Sequence, residues 1–338
     1  VTGTNGKTST VHFCRQLWAA VGSRAASLGT LGLSGPDMAR EGGAWITTPD
    51  PVTLQEGLAD LARAGVDHLA MEASSHGLVQ HRMDGVRLSA AGFTNLTRDH
   101  LDMHGTMEAY FAAKKRLFSE VLPPGGVAVL NADIPEYEAL RALCRKRGHR
   151  IFGYGAAARG GKETDLDFAL VSAIPRIEGL EMSFRVFGRA HRALLPLAGD
   201  FQAMNALCAL ALCVAESPED TARTDRLVLA MTDLKAPPGR GQRVGFSPHG
   251  GVAYVDYAHT PDGLQTILQA LRGHVGPGGR LICVFGCGGD RDAGKRPLMG
   301  KIATDKAEVT IVTDDNPRGE DPAAIRREIL AAAPGAIE

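Results

Sequence analysis

The 338 residues carry no dominant charge: 37 Lys and Arg stand against 38 Asp and Glu. No overall field of one sign is therefore present to recruit nucleic acid or an anionic lipid surface. Long apolar runs are missing as well. The longest uncharged one, Ala206 to Ala215, is ten residues, well short of a bilayer span, and no basic start followed by an apolar stretch marks a secretory signal. The six cysteines (Cys14, Cys144, Cys208, Cys213, Cys283, Cys287) form no CxxC pair and no zinc-finger spacing. Scattered thiols of this kind fit a reducing, cytoplasmic setting. Internal repeats and low-complexity tracts are absent. What remains is the balance of a globular protein, 44% hydrophobic and 22% charged, at a length that suits two domains.

One further absence bears on the chain's first feature. Gly3-Thr4-Asn5-Gly6-Lys7-Thr8 reads as a phosphate-binding loop opening a helix. Backbone N–H groups would wrap a polyphosphate, Lys7 would reach its terminal phosphates and Thr8 would hold Mg²⁺. The strict pattern has Gly where Val1 stands, so this is a variant. Such a loop is fed by a β-strand, yet only Val1 and Thr2 precede it and the first residue is not Met. The expectation is a fragment whose first strand lies upstream. The loop points to ATP use.

Downstream, the apolar spacing at Val11, Cys14, Leu17, Trp18 and Val21 predicts a helix over 8–21. The Gly- and Pro-rich stretch 29–51 reads as loop with short strands. Leu54, Leu58 and Leu61 mark a helix. His68–Met71 reads as a buried strand ending at Glu72, and 91–95 as a strand. Segment 107–118 reads as helix, 127–130 as strand and 134–147 as helix. Alternation of this kind predicts a mostly parallel sheet covered on both faces. Residues 168–195 read as β-rich, an antiparallel edge or side sheet, and 201–215 as helix. Lys235–Arg243, rich in Pro and Gly, is the candidate linker. After it come strands at 252–255, 281–285 and 309–313 with helices between. The expected fold class is α/β: a P-loop central domain with a mostly parallel sheet over 1–236. A smaller, incomplete Rossmann-like α/β domain follows over 237–338.

Several residues are placed for chemistry. Glu72 ends a strand beside the loop, where a second Mg²⁺ ligand commonly sits; a strand-end cap is the plainer reading. The cluster Arg98-Asp99-His100-Leu101-Asp102-Met103-His104 adds imidazoles and carboxylates, although hard cations prefer oxygen and a polar capped loop explains it equally. Lys114 falls on the apolar face of its helix, so it should snorkel, pair or be chemically altered. Carbamylation by CO₂ would make it an oxygen ligand for Mg²⁺. Three clusters follow strands of the second half, at 256–259, 286–292 and 314–318, where open α/β sheets bind ligands. Asp256 could accept from ribose hydroxyls, and Arg291 and Arg318 could grip a carboxylate bidentately. Caps and turns account for each with even weight.

Taken together, these motifs resemble the Mur ligase family, the ATP-dependent amide-bond ligases of peptidoglycan precursor synthesis. The matching residues are Gly3–Thr8, Thr47-Thr48-Pro49-Asp50, Glu72–Gly77, Asp99–Asp102, Ala113-Lys114 with Leu117-Phe118, Asp256–His259 and Gly288–Asp292. Asp315-Asn316-Pro317-Arg318 resembles the branch that adds meso-diaminopimelate to the D-glutamate γ-carboxylate of UDP-N-acetylmuramoyl-L-alanyl-D-glutamate.

The resemblance implies small-molecule partners only (this UDP-linked peptide, diaminopimelate and ATP), with no nucleic acid or membrane, and a monomer. It implies that Thr8 and Glu72 hold one Mg²⁺, and that Glu72, His100 and carbamylated Lys114 hold another. Thr47, Thr48, Ser74, Gln80 and Arg82 would contact the UDP-linked substrate, and Asn205 would lie near the adenine. Arg291 and Asp315, Asn316, Pro317 and Arg318 would hold diaminopimelate. Lys7, His100 and Lys114 would serve the acyl-phosphate chemistry. It further implies an uridine-nucleotide domain upstream of Val1, and a Gly and a Glu completing the amino-acid pocket beyond Glu338. Rival readings are a lysine-adding Mur ligase, a folylpolyglutamate synthase-like ligase and a non-catalytic nucleotide-binding module. Arg318 argues against the first. Thr47-Thr48-Pro49 together with 315–318 argues against the second, and the joint presence of Glu72, His100 and Lys114 argues against the third.

Overall fold

The computed structural model describes residues 1–36, 38–40, 46–159, 162–163, 165–247 and 250–338, with backbone alone at 38–40, 101–102, 159 and 162–163. The chain divides into two compact units. Unit 1 comprises 1–174, 180–197 and 201–238; unit 2 comprises 175–179, 198–200 and 239–338.

In unit 1 the phosphate loop leads directly into α1 (Lys7–Ala20), followed by β1 (Ala25–Gly29), β2 (Gly32–Gly35) and β3 (Met38–Arg40). Part of the stretch read as loop with short strands, 37 and 41–45, lies outside the described residues. Next come α2 (Pro51–Arg63), β4 (His68–Met71), α3 (Ser75–Val79) and β5 (Ala90–Phe93). Asp50 caps α2 by accepting from the amides of Val52 and Thr53, with Pro51 in its first turn. Then follow α4 (Leu101–His104), α5 (Met107–Arg116), β6 (Val127–Asn131), α6 (Tyr137–Lys146) and β7 (Arg150–Ala156). After the short pair β8 (Ala158–Arg159) and β9 (Lys162–Glu163) come β10 (Phe168–Arg176), β11 (Gly179–Val186) and β12 (Arg189–Leu195). The unit closes with α7 (Phe201–Val214) and α8 (Thr221–Ala230).

Strand order is β3-β2-β1-β4 in one sheet and β12-β11-β10-β7-β6-β5 in another. Pairings β1–β4, β5–β6, β6–β7 and β7–β10 are parallel, while β11–β12 is antiparallel. The β-rich segment 168–195 is therefore the edge of the main sheet and not a side sheet. Val1 and Thr2 run between the two sheets in a strand's position. Val1 N donates to Met71 O, Ala73 N to Val1 O, Thr2 N to Gly92 O and Thr94 N to Thr2 O. One core, around Phe13, Leu17, Phe152, Phe168 and the apolar α7, lies to one side; another, around Leu28, Leu54, Phe93, Leu117 and Phe118, lies to the other.

Two helix boundaries differ from the sequence reading by more than one residue. α5 stops at Arg116 and continues as a π-turn, Leu117–Val121. There Leu122 N donates to Leu117 O, and the added residue buries Leu117, Phe118 and Val121 together. α6 starts at Tyr137, not Ile134, because the Asn131 side chain accepts from Asp133 N in a turn and Pro135 follows it. The sequence reading also passed over α3, α4, β7, α8 and the strand Gln242–Phe246, whose first two residues lie within the stretch 235–243 read as linker.

Unit 2 contains β13 (Gln242–Phe246), β14 (Val252–Val255), α9 (Pro261–Arg272), β15 (Ile282–Phe285), α10 (Lys295–Lys306), β16 (Val309–Val312) and α11 (Pro322–Leu330). β13 pairs with β14 antiparallel and β15 with β16 parallel. Leu264, Ile267, Cys283, Met299, Val312 and Ile329 form its core. Both units are α/β, as expected. Among the described residues no helix is long and apolar enough to cross a membrane.

Candidate active site

The phosphate loop has its shape because two glycines permit it. Gly3 and Gly6 lie at φ 143° and 83°, where L side chains are strained. A Cβ on Gly3 would collide with the Thr94 hydroxyl, and one on Gly6 with the Asn205 side-chain oxygen. Segment 94–97, after β5, holds the loop from one side. Thr4 N donates to Asn95 O (2.9 Å) and Asn5 N to Asn95 Oδ1 (2.8 Å). Thr94 Oγ1 donates to Asn5 O (2.6 Å), and Thr97 N to Thr4 Oγ1 (3.0 Å). Lys7 folds back, its Nζ donating to the carbonyls of Gly3 (3.0 Å) and Thr4 (2.9 Å). Asn205 is buried against Gly6, its amide donating to Gln202 Oε1 (3.0 Å). It thus abuts the turn of the loop itself.

Glu72 is the pivot of unit 1. It is buried at the end of β4, and its Oε1 accepts from Thr8 Oγ1 (3.0 Å) and Thr30 N (2.8 Å). Its backbone carbonyl accepts from Thr48 Oγ1 (3.0 Å). Thr48 is in turn 3.1 Å from Ser74 Oγ, and Thr48 O accepts from Arg82 Nη1 (2.7 Å). Arg82 also donates to the Gln80 side chain, and Thr47 Oγ1 lies 3.1 Å from Thr30 Oγ1. All five residues expected at the UDP-linked substrate, Thr47, Thr48, Ser74, Gln80 and Arg82, therefore belong to one hydrogen-bonded group that starts at Glu72. Gly77 is required there: a Cβ on it would sit 2.6 Å from Thr48 Cβ.

Lys114 is 1% exposed and does not snorkel. Its Nζ donates to Gly3 O (2.8 Å) and lies 4.3 Å from the centre of the Tyr110 ring. Burial, reinforced by the charge of Lys7 and opposed by Asp99, lowers its pKa from 10.5 to about 6. The amine is therefore mostly neutral at pH 7, the form that reacts with CO₂. Tyr110 OH also donates to Thr4 Oγ1 (3.3 Å), so one residue touches both the lysine and the loop. His100 is more exposed and sits at φ 51°. Its Nε2 is 3.4 Å from the Asp99 carboxylate, and its ring meets Tyr110 and His76 edge-on. The side chain of Asp102 lies outside the description.

Mg²⁺ takes oxygen ligands and is commonly held by one or two carboxylates, with phosphates and water completing its shell. The Glu72 carboxylate joined to the Thr8 hydroxyl beneath a phosphate loop is a donor set of that kind. Among the described residues no three His, Cys, Asp or Glu side chains gather into a metal-holding group.

In unit 2 the Asp256 carboxylate accepts from Gly241 N (2.6 Å) and Ala258 N (2.9 Å), and burial raises its pKa against these bonds. The loops after β15 and β16 are joined. Gly289 N donates to Asn316 O (2.9 Å), and Arg318 Nη1 to Gly289 O (2.8 Å). Asp315 and Asn316 accept from the next turn's amides, Asn316 N and Arg318 N. Arg291 is exposed at this rim.

The sequence reading missed Thr30, Asn95, Thr97 and Tyr110. Thr30 stands in Gly29-Thr30-Leu31-Gly32, where the flanking glycines were its one signal. A separate cavity of about 320 Å³, lined by Tyr137, Arg141, Asp165, Asp167 and Phe187 among others, shares no residue with this site.

A glycine loop capping a helix, a metal-type carboxylate against its threonine and a buried lysine against its first carbonyl define a phosphate-loop nucleotide-binding α/β protein. The Mur ligase middle domain matches residues 1–213 and the Mur ligase glutamate ligase domain residues 239–337. A UDP-N-acetylmuramoyl-L-alanyl-D-glutamate–2,6-diaminopimelate ligase of Caulobacter vibrioides is 52% identical, over all of this chain and 68% of that protein. The solved structure of a ligase of the same description superposes with a TM-score of 0.73 at 35% identity, over 97% of this chain and 63% of that one. A Mycobacterium tuberculosis folylpolyglutamate synthase shares the fold at 20% identity, with a TM-score of 0.75 over 99% of this chain and 78% of that one. The chain belongs to the Mur ligase family. Its high-identity matches are diaminopimelate ligases, as the 315–318 motif implied, and it spans about two thirds of their length.

Proposed function

We propose that the protein carrying this chain is an ATP-dependent ligase. It joins meso-diaminopimelate to the D-glutamate γ-carboxylate of UDP-N-acetylmuramoyl-L-alanyl-D-glutamate, in the cytoplasm, during peptidoglycan precursor synthesis. The observation that supports this best is the double use of Glu72. Its carboxylate meets Thr8 of the phosphate loop, and its carbonyl anchors Thr48 of the group assigned to the acceptor substrate. Phosphate and acceptor carboxylate would thereby be referred to one strand end.

In the proposed reaction a γ-carboxylate oxygen attacks the terminal phosphorus of ATP, the bond to ADP breaks and an acyl phosphate forms. The amine of diaminopimelate attacks the acyl carbon and loses a proton, and phosphate leaves from the tetrahedral intermediate. Both steps build negative charge on oxygen, so the site needs fixed cations and donors more than a nucleophile. Gly3 to Thr8 would cradle the triphosphate, with Lys7 exchanging its two loop carbonyls for phosphate oxygens. Asn205 would sit toward the adenine and Asp256 would accept from the ribose. Thr47, Thr48, Ser74, Gln80 and Arg82 would hold the UDP-linked peptide. Arg291 and Asp315 to Arg318 would hold the carboxylate and ammonium of diaminopimelate.

Mg²⁺, when bound, neutralises charge on the phosphoryl and acyl oxygens. Thr8 and Glu72 would hold one ion, and Glu72, His100 and Lys114 another. The neutral Lys114 amine would first add CO₂, forming an N–C bond and releasing a proton, which gives the anionic oxygen donor that Mg²⁺ prefers. A substrate labelled with ¹⁸O in the γ-carboxylate tests the acyl phosphate. One labelled oxygen should appear in the released phosphate, and unlabelled phosphate would refute the route.

A further inference from the structure

The loops after β15 and β16 are stapled by a pair of residues to which no role has been given. Arg296, at the start of α10, has a side chain 1% exposed. Its Nη2 donates to Glu320 Oε1 (2.8 Å) and its Nη1 to Glu328 Oε2 (2.9 Å). The same Glu320 oxygen accepts from Asp290 N (2.5 Å), and Asp290 Oδ2 accepts from Gly319 N (2.9 Å). Asp290 and Arg318 are both non-glycine residues in the left-handed region, at φ 51° and 48°. Conformations of this kind persist only where the surroundings over-determine them. Here they adjoin Arg291 on one loop and close the 315–318 motif on the other. The loops also touch closely: a Cβ on Gly289 would collide with Pro317 O.

We infer that Arg296 and Glu320 are positioning residues for the amino-acid co-substrate: the pair of buried Arg296 and half-buried Glu320 fixes Asp290, and through it the spacing between Arg291 and Asp315–Arg318. This rests on the reading above that those residues hold diaminopimelate. The pair also keeps the Glu320 carboxylate occupied two residues from Arg318, so that it does not compete for that guanidinium with the carboxylate of the incoming amino acid. A buried guanidinium is retained at considerable desolvation cost, and here its partners are the residues that shape a ligand loop.

The test is steady-state kinetics of the intact protein. Glu320→Ala removes the acceptor for Asp290 N; Glu320→Gln keeps a carbonyl there. We expect Glu320→Ala to raise KM for diaminopimelate about tenfold, the scale of one lost hydrogen bond to a carboxylate. KM for ATP and for the UDP-linked peptide should stay within about twofold, and Glu320→Gln should recover most of the loss. An unchanged diaminopimelate KM in Glu320→Ala would overturn the inference. So would a parallel rise in all three KM values tracking a fall in melting temperature, or no rescue by Glu320→Gln. Failure of the unmutated protein to use diaminopimelate at all would instead overturn the functional reading.

Discussion

Substituting Lys114 by methionine keeps an unbranched stem in a position that is 1% exposed and removes the amine. Burial has lowered that amine's pKa from 10.5 to about 6. Between these values the unfolded chain binds a proton that the folded chain does not, so wild-type stability rises with pH across this window. At about 1.4 kcal/mol per pKa unit, the amine costs the fold roughly 5 kcal/mol at pH 7 and roughly 2 kcal/mol at pH 9. Methionine forfeits the bond to Gly3 O, worth about 1 kcal/mol, although Lys7 still donates to that carbonyl. Lys114→Met should therefore be more stable than wild type by about 4 kcal/mol at pH 7 and about 1 kcal/mol at pH 9. The same variant should lose turnover by two orders of magnitude or more, on the order of one removed charge-stabilising group. The assay is urea denaturation of both proteins at the two pH values in CO₂-depleted buffer, with phosphate release measured in parallel. A variant less stable than wild type at pH 7, or a gain that does not shrink toward pH 9, would refute the burial argument. Retained turnover would remove Lys114 from the chemistry.

Glu72→Gln should lower kcat by about 10²–10³-fold, the scale of a lost electrostatic contact in a transition state, and move the Mg²⁺ dependence to higher concentration; an unchanged Mg²⁺ titration contradicts the assignment. Gly6→Ala places a Cβ at φ 83° against Asn205, so it should destabilise by about 1–2 kcal/mol and weaken ATP binding at least about tenfold in a nucleotide titration. Arg82→Ala removes the bond to Thr48 O. It should raise KM for the UDP-linked peptide by about tenfold while KM for ATP stays put.

The sequence made most of this visible because its signals were local. Strand β4 ends where the apolar run His68–Met71 ends, and α2, α9 and α11 begin at a Thr or Asp followed by Pro, the caps that fix a helix start. Lys114 could be placed inside because helical spacing put it among Met107, Tyr110, Phe111 and Leu117. The π-turn after Arg116 could not be foreseen, since it answers to how Leu117, Phe118 and Val121 reach the core. Thr30 and Asn95 escaped for a related reason. Each holds a site residue from a different strand end, and no spacing along the chain encodes that meeting. Asn205 was placed near the adenine by the resemblance alone; its contact with the Gly6 turn depends on how α7 packs along α1. The Arg296–Glu320–Asp290 staple joins residues up to thirty positions apart in the sequence, which only the adjacency of β15 and β16 brings together.

The central claim, that the amine joined is that of meso-diaminopimelate, is tested most directly by mass spectrometry of the product. The intact protein would be incubated with ATP, Mg²⁺, the UDP-linked muramoyl dipeptide and an equimolar mixture of meso-diaminopimelate, L-lysine and glutamate. The account predicts a single adduct, the dipeptide plus diaminopimelate less one water, formed with stoichiometric ADP and phosphate. An adduct of lysine or glutamate in its place, or ATP hydrolysis with no adduct, would contradict it.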